Sequence, residues 1–155
     1  MNPFVAHITV ATLVEQDGRL LLVREQANGA TVLNQPAGHV ERGESLVQAA
    51  FRETLEETAW QVDIEAFLGT YIYQPARDSG IYYRFCFIAV PRRQDPRQRL
   101  DDGILGTEWL TPAALSARRA EHRSPLVQRC VDDYLSGRRL PLDSLYQHPW
   151  PLQQR

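Results

Sequence analysis

The sequence has few cysteines, no long apolar run and no cluster of basic residues, and each shortage argues against a class of protein. Only two cysteines occur, Cys86 and Cys130, without the C-x-x-C spacing of metal or redox motifs. We therefore expect no disulfide framework, but two reduced core residues in a cytoplasmic protein. Because no apolar run approaches the roughly 18 residues of a membrane helix and no signal segment begins the chain, neither an anchor nor an export signal is expected.

The charge balance favours small anionic ligands over nucleic acid polymers. The 155 residues include 17 Lys and Arg against 19 Asp and Glu, which gives a formal net charge of −2. A protein that holds a nucleic acid polymer through its phosphates usually carries a basic surface, so no such partner is expected. With 43% hydrophobic residues, residues 1–155 are expected to form one compact domain, as a monomer or a homodimer.

One stretch, residues 38–60, organises the rest of the chain. It reads GHVERGESLVQAAFRETLEETAW, a glycine loop followed by a helix. Ser45 with Gln48 three residues later is a capping-box signal, which predicts a helix from Ser45 to about Thr58. One face of this helix is expected to pack against the core, and its members are Val47, Ala50, Phe51, Thr54 and Thr58.

A neighbouring face of the same helix gathers Glu53, Glu56 and Glu57. Like charges at this spacing cost roughly 0.2–0.5 kcal/mol per pair when nothing binds them. A divalent cation would reverse that cost, and oxygen ligands suit Mg²⁺, with Mn²⁺ as the alternative, better than zinc. A solvated acidic face is the other interpretation. Arg52, one turn before Glu56, is predicted to hold these carboxylates in position through salt bridges.

The spacing of this stretch resembles the Nudix box, the signature of hydrolases that split nucleoside diphosphates linked to another group. The shared anchors are Gly38, Glu44, Arg52, Glu53, Glu56 and Glu57. The resemblance implies the Nudix fold, an α+β protein in which a mixed sheet lies between helices as an α/β/α sandwich. It also implies that Gly38 offers its carbonyl oxygen to a metal. Two positions depart from the family pattern, Thr54 in place of an aliphatic residue and Ala59 in place of glycine.

Residues outside the box resemble one branch of that family, the NudJ-type phosphatases. The matching strings are NQPAGH at 34–39, RSPLV at 123–127, SGR at 136–138 and PL at 141–142. This resemblance implies release of orthophosphate from nucleoside tri- and diphosphates and from pyrophosphorylated thiamine compounds, including thiamine pyrophosphate. Two alternatives stay open: a Nudix pyrophosphohydrolase acting on ADP-ribose or an oxidised nucleotide, and a non-catalytic Nudix domain that senses a nucleotide.

The expected mechanism assigns roles to the glutamates of the box. Hydrolysis of a phosphoanhydride requires neutralisation of charge on the phosphoryl oxygens and a positioned water. Mg²⁺ would serve both needs, held by Glu53, Glu56, Glu57, the Gly38 carbonyl and, as a further candidate, Glu44. One glutamate then acts as the general base; Glu57 is favoured, with Glu56 and Glu44 as rivals.

Several candidate substrate contacts lie outside the box. Arg24 ends a predicted strand, and Arg77 or Arg84 could neutralise a substrate phosphate. Tyr83 belongs to a cluster of tyrosines, some of which could stack on a heteroaromatic ring. Asp102 completes the set of proposed substrate contacts.

An acidic segment near residue 101 offers a further group for the site. Nudix enzymes often use an acidic residue from this part of the chain for an additional metal or for water activation, and Asp101, Asp102 and Glu108 are the candidates. The alternative is that Asp101 and Asp102 are surface charges and that Glu108 supports the fold.

The rest of the chain is predicted to form strands, loops and two more helices. Residues 91–102 are polar and predict a solvated loop, and helices are predicted to begin after Thr111 and Ser124. The tail, residues 140–155, contains Tyr146 and Trp150 and is expected to pack along the domain surface. Apolar alternation predicts strands at 5–14, 19–24, 31–33, 62–73 and 81–90.

Overall fold

The structure, a computed structural model, describes residues 4–149. Its strands are β1 (Ala6–Gln16), β2 (Arg19–Ala27), β3 (Ala30–Asn34), β4 (Ala37–His39), β5 (Trp60–Tyr73), β6 (Ile81–Gln94) and β7 (Ile104–Leu110). Its α-helices are α1 (Leu46–Thr58), α2 (Pro112–Ala117) and α3 (Pro125–Leu135), and short 3-10 turns span Arg119–Glu121 and Leu142–Ser144.

The strands form one mixed sheet. Its path is β3-β2-β1-β6-β5, with β4 beside β1 and β7 beside β2. β1 and β6 run parallel from the pair Ala6/Ile81 to the pair Val14/Ala89, and the other strand pairs are antiparallel. β4 lies on the side of β1 away from β6, so the loop that follows it leads directly from the sheet into α1.

Helices cover both faces of the sheet, which confirms the expected α/β/α sandwich. On one face Ala49 and Ala50 of α1 belong to a core cluster with Val10, Phe67 and Phe87. On the other face α2 and α3 pack against a second cluster, whose members include Ala11, Leu13, Leu68, Ile88, Leu115, Val127 and Val131. Successive residues of a strand point to opposite faces, which is why Val10 and Ala11 lie in different clusters.

The cluster beneath α3 contains both cysteines. Cys86 on β6 and Cys130 on α3 are free and fully buried, as the sequence predicts. A hydrogen bond with Cys130, together with burial, raises the pKa of the Cys86 thiol well above its usual range. The same hydrogen bond, helped by the charge of Arg84, lowers the pKa of the Cys130 thiol despite its burial. Both side chains pack as small residues in this cluster.

The ends of α1 match the sequence signals. The Ser45 Oγ accepts a hydrogen bond from the Gln48 N–H at 3.0 Å, and the Gln48 Oε1 accepts one from the Ser45 N–H at 2.8 Å. These two bonds complete the predicted capping box. After Thr58 the chain turns through Ala59, which adopts the left-handed conformation, with φ of 62°.

The inward face of α1 is centred differently from the prediction. Phe51, expected in the core, is 38% exposed. The buried positions are Ala49, Ala50, Glu53, Thr54, Glu57 and Thr58, so the small alanines lie against the sheet and Phe51, about 100° further round the helix than Ala50, points outwards. The Thr54 hydroxyl donates to the Ala50 carbonyl at 2.7 Å, so threonine introduces no unpaired hydroxyl here.

Three segments differ from the predicted strands: the short β4, which has no predicted counterpart, the end of β6, and β7. β6 continues through residues 91–94, which the polar composition assigned to a loop, because Trp60 and Gln61 of β5 pair with Gln94 and Arg93. β7 has no counterpart among the predicted strands. It pairs with β2 from Leu20/Leu110 onwards, so a tertiary contact stabilises a strand that lacks clear alternation.

The two later helices begin as predicted, at the N-caps Thr111 and Ser124, whose hydroxyls accept hydrogen bonds from backbone N–H groups. Beyond α3, Leu140, Leu142 and Leu145 pack against the core cluster of α1. Tyr146 is 82% exposed, and the predicted contribution of Trp150 falls outside the described residues. Within residues 4–149, no helix is long and apolar enough to cross a membrane.

Candidate active site

The loop before α1 and the helix itself approach closely at Gly38. Gly38 pairs with Val10 in the ladder between β4 and β1, and the Glu53 carboxylate lies directly over its Cα. A Cβ at this position would overlap all three atoms of that carboxylate group. Only glycine therefore allows the backbone of the loop and a helix carboxylate to come together here.

Three carboxylates converge beside this loop and form the acidic cluster. Glu53, Glu56 and Asp101 each offer an oxygen, and these oxygens lie within 4.8 Å of one another. Glu53 and Glu56 are one turn apart on α1, whereas Asp101 comes from the segment before β7. The Asp101 N–H donates to the Glu56 carbonyl at 3.1 Å, so an otherwise unpaired group at the helix end holds Asp101 in place. An all-oxygen set of this kind fits Mg²⁺ or Mn²⁺.

Arg52 lies among the carboxylates of the site. Its Nη1 donates to Glu53 at 2.7 Å and to Glu56 at 3.0 Å. Its Nη2 and Nε donate to the two oxygens of Glu44 at 2.7 and 3.0 Å, and Nη2 also reaches the His39 carbonyl at 3.0 Å. One guanidinium thus links the loop to the helix and balances part of the negative charge.

Arg52 acts differently on the two carboxylates it holds most closely. Hydrogen bonds from Arg52, helped by the Glu41 N–H, lower the pKa of Glu44 despite its partial burial. Burial raises the pKa of Glu53, and the hydrogen bond from Arg52 opposes that change only in part. Glu44 is therefore a weak proton acceptor, while Glu53 is a carboxylate in an unfavourable environment that a cation would relieve.

Glu57 lies deeper than the acidic cluster. It is 6% exposed, and its Oε2 accepts a hydrogen bond from the Ala37 N–H at 2.9 Å. Burial raises the pKa of Glu57 to about 9, although the Ala37 N–H favours the charged form. Glu57 thus lies behind the Gly38 loop and has a high proton affinity.

A cavity of about 580 Å³ opens beside the loop. Its lining combines charged and amide side chains with aromatic and apolar ones. The lining residues are Thr9, Glu25, Ala27, Asn28, Val32, Asn34, Ala37, Gly38, His39, Tyr73, Pro75, Tyr82, Arg84, Arg123, Ser124 and Leu126. Gly38 lines the cavity and also contacts Glu53 of the acidic cluster, so the cavity and the cluster adjoin at this residue.

Of the five substrate contacts proposed from sequence, Arg84 lines this cavity and Arg24, Arg77, Tyr83 and Asp102 do not. Arg24 pairs with Glu108 at 3.2 Å, and Arg77 is exposed in the loop between β5 and β6. The Asp102 side chain is 96% exposed and pairs with Arg99 at 3.3 Å. None of the three lines the cavity, and their contact with a ligand stays a prediction.

Tyr83 misses the cavity because of the alternation of side chains along β6. Its neighbours Tyr82 and Arg84 both line the cavity. Residues one apart on a strand point to opposite faces, so Tyr83 must face away. The sequence placed several tyrosines near the ligand but did not establish the face of each one.

Glu108 forms ion pairs that support the fold, which was the alternative to a role for Glu108 in the site. Its carboxylate pairs with Arg24 on β2 and with Arg118 after α2, the latter at 2.5 Å. Of the acidic candidates near residue 101, only Asp101 belongs to the acidic cluster. The adjacent aspartates are equivalent in sequence, and only the bond from the Asp101 N–H to α1 distinguishes them.

Two further cavity residues had no functional role in the sequence analysis. Asn34 and Arg123 appeared there only within the strings that resemble the NudJ-type branch. A polar residue at the end of a short strand and an arginine before a helix cap carry no specific signal. The fold brings them together because the Arg123 N–H donates to the Leu33 carbonyl at 2.8 Å, next to Asn34.

The chain belongs to the Nudix family: the NUDIX domain matches residues 4–130. It is similar to Phosphatase NudJ of Escherichia coli strain K12 and of Shigella boydii serotype 4, each 36% identical over 148 residues, 96% of this chain and 95% of the relative. These matches make it a phosphohydrolase, of a family that generally uses a divalent metal and acts on phosphoanhydrides of small nucleotides.

Solved structures agree with this assignment. A NUDIX hydrolase from Nitrosomonas europaea superposes with a TM-score of 0.89 at 43% identity, covering 92% of this chain and 97% of that one. A MutT NUDIX hydrolase from Burkholderia pseudomallei gives a TM-score of 0.67 at 19% identity, covering 83% of this chain and 97% of that one. The second likeness shows the fold alone.

Proposed function

We propose that this protein is a metal-dependent phosphatase that releases orthophosphate from nucleoside tri- and diphosphates and from thiamine-type pyrophosphates, including thiamine pyrophosphate. The observation that carries the proposal is the similarity, over 96% of the chain, to proteins named Phosphatase NudJ. The convergence of the acidic cluster with the Gly38 loop supports metal dependence.

Glu53, Glu56 and Asp101 would hold the cation, together with the Gly38 carbonyl. Glu57 remains a further candidate ligand, and Mg²⁺ is preferred, with Mn²⁺ as the alternative. A cation held there supplies neutralisation of the phosphoryl oxygens, a lower pKa for bound water and a preference for ionised carboxylates beside it. Arg52 keeps Glu53 and Glu56 oriented for this task.

Glu57 is the proposed general base. Burial raises the pKa of this carboxyl group, so without a metal it is protonated at neutral pH. A cation at the acidic cluster would favour the ionised form, which can accept a proton from water. Glu44 is less suited, because two hydrogen bonds from Arg52 occupy its oxygens. Glu56 remains a rival, since its oxygen belongs to the acidic cluster.

The substrate class is tested by product analysis. Thiamine pyrophosphate, a nucleoside diphosphate and a nucleoside triphosphate are incubated with and without Mg²⁺, and orthophosphate and pyrophosphate are measured separately. Orthophosphate that appears only with Mg²⁺ is the expected result. Pyrophosphate from the triphosphate would replace the proposal with a pyrophosphohydrolase, and no turnover on any of the three would reject these substrates.

Glu57→Gln is expected to lose most of this activity, by about 100-fold or more in kcat, since general-base catalysis is typically worth that factor. Orthophosphate release by the purified variant measures the loss, and circular dichroism checks its fold. Glu65→Gln is the matched control, because Glu65 is an exposed glutamate paired with Arg139. Full turnover by a folded Glu57→Gln protein would reject the role.

We also propose that the chain forms one domain and works in the cytoplasm. The segment after the family match packs on the same cores, Val131 under α3 and Leu140 against the cluster of α1. Two free thiols in the core fit a reducing compartment.

A further inference from the structure

Arg84 is a buried cation that meets no carboxylate within residues 4–149. It is 6% exposed, and its guanidinium donates to the Gln35 Oε1 and the Asn34 Oδ1, each at 3.0 Å. Both acceptors are neutral amides, and among residues 4–149 Arg84 forms no ion pair with a carboxylate. An arginine stays charged in proteins, and a buried charge is costly unless something of opposite sign meets it.

The amides that hold Arg84 are themselves fixed. The Asn34 Nδ2 donates to Glu25 at 3.3 Å, and the Gln35 Nε2 donates to the Val127 carbonyl at 2.9 Å. Each amide therefore presents its oxygen to Arg84 because its nitrogen is engaged elsewhere. The guanidinium is thus held in a fixed position against the cavity wall.

The sheet places Arg84 in line with the box loop. His39 on β4 pairs with Thr9 on β1, and Thr9 pairs with Arg84 on β6. Side chains opposite one another on neighbouring strands share a face, and all three line the cavity. Two strand spacings, roughly 10 Å, separate the backbones of His39 and Arg84, and His39 directly follows Gly38, which meets Glu53 on the other face of β4.

The other charged side chains that line the cavity do not neutralise the charge of Arg84. Glu25 lies 3.8 Å from the Arg123 Nε and accepts the bond from Asn34, so its charge is shared with Arg123 at the rim. The acidic cluster lies beyond Gly38 and is itself partly balanced by Arg52. The wall around Arg84 therefore favours an anion, whereas the cluster favours a cation.

We propose that Arg84, with Arg123 as a second cation at the rim, binds the phosphate that is not transferred, the one that leaves with the rest of the substrate as a phosphate monoester. This inference rests on the proposed function and deepens it. The transferred phosphoryl group lies at the acidic cluster, and the next phosphate along the chain lies against Arg84. The protein would then recognise the diphosphate group of a substrate more strongly than the heteroaromatic ring attached to it.

The test measures binding of phosphate monoesters to the whole protein without divalent metal, in EDTA, by isothermal titration calorimetry. Adenosine monophosphate is compared with adenosine, and thiamine monophosphate with thiamine. The wild-type protein is expected to bind each monoester at least about tenfold more tightly than its phosphate-free partner, as hydrogen bonds to charged groups typically allow. No preference for the phosphorylated partner would overturn the proposal.

Arg84→Met is expected to abolish this preference, and Arg84→Lys to keep part of it. Arg93→Met is the matched control, since Arg93 is an exposed arginine further along β6. If Arg84→Met does not fold, the test uses Arg84→Lys and Arg123→Met instead. Each of these variants is expected to reduce the preference for the phosphate monoester over its phosphate-free partner. An unchanged preference in every folded variant of Arg84 and Arg123, or an equal loss of adenosine and monophosphate binding, would assign Arg84 to the support of Asn34 and Gln35 instead.

This test separates the inference from the proposed function. Monoester binding that depends on Arg84, without turnover of any diphosphate, would keep the anion subsite and reject the phosphatase. The opposite outcome is metal-dependent orthophosphate release together with monoester binding that does not change when Arg84 is replaced. That outcome would support the phosphatase proposal and reject the anion subsite at Arg84.

Discussion

Ala59 ends α1 at a position where an L-residue is strained. Its φ of 62° and ψ of 10° are left-handed, and its N–H donates to the Leu55 carbonyl at 2.8 Å. This bond closes the last turn of the helix, and the left-handed residue then turns the chain away, as in an αL C-cap. The sequence marks the position as a departure from the family pattern, and the structure accommodates alanine by adopting the conformation that glycine prefers.

Ala59→Gly is expected to raise the free energy of unfolding by about 0.5 kcal/mol, because relief of about 1–2 kcal/mol of left-handed strain exceeds the 0.5–1 kcal/mol entropy cost of glycine. Urea unfolding at neutral pH measures the change. Ala49→Gly is the control: Ala49 is helical and buried in the same helix, so glycine there should destabilise by about 1 kcal/mol or more. A less stable Ala59→Gly protein would show that the methyl group matters more than the strain.

At the scale of elements, Asp133 joins the end of α3 to β5. Its Oδ2 accepts a hydrogen bond from the Tyr71 hydroxyl at 2.8 Å and from the Arg129 Nε at 3.2 Å. Burial alone would raise the pKa of Asp133, but the bonds from Tyr71 and Arg129 outweigh it and lower the pKa below the usual range. The charged form is therefore stabilised in the folded protein.

Asp133→Asn is expected to cost about 1 kcal/mol of unfolding free energy at pH 7, since a hydrogen-bonded charge is lost. Because the folded pKa is depressed, the contribution is complete above the unfolded pKa of about 4 and is lost as pH falls through the lower folded pKa. Urea unfolding at pH 7, 4 and 3 should show that the difference in unfolding free energy between Asp133→Asn and wild type becomes smaller as the pH falls. Asp132→Asn, at an exposed neighbour, should differ little throughout; a gap that persists at pH 3 would contradict the linkage.

Elements with strong local signals were predictable, and those fixed by distant partners were not. The capping box at Ser45 and the N-caps Thr111 and Ser124 match the structure because their hydrogen bonds are local. β7 depends on pairing with β2, a contact that no neighbouring residue signals. Phe51 was misplaced for a related reason: periodicity gives a helix its faces, but the sheet decides which face is inward.

At the scale of the whole molecule, the site combines parts from separate regions of the chain. The box supplies Gly38, Arg52 and the glutamates of α1, and these were predictable because they occupy one short motif. Asp101 joins them only through its backbone bond to Glu56. Arg84 and Arg123 face one cavity because β6 and the start of α3 meet there. No spacing in the sequence encodes such meetings, which is why the sequence could not separate Arg84, which lines the cavity, from the candidates Arg24, Arg77, Tyr83 and Asp102, which do not.

The measurement that tests the account most directly is Mn²⁺ binding, followed by electron paramagnetic resonance of the free ion, in wild type, Asp101→Asn and Asp102→Asn. The adjacent aspartates are a matched pair, since only Asp101 lies in the acidic cluster and Asp102 is almost fully exposed. We expect Asp101→Asn to weaken Mn²⁺ binding at least about tenfold and Asp102→Asn to bind Mn²⁺ like wild type. Equal affinities in all three proteins, or no binding by wild type, would contradict the claim that Glu53, Glu56 and Asp101 form the metal site.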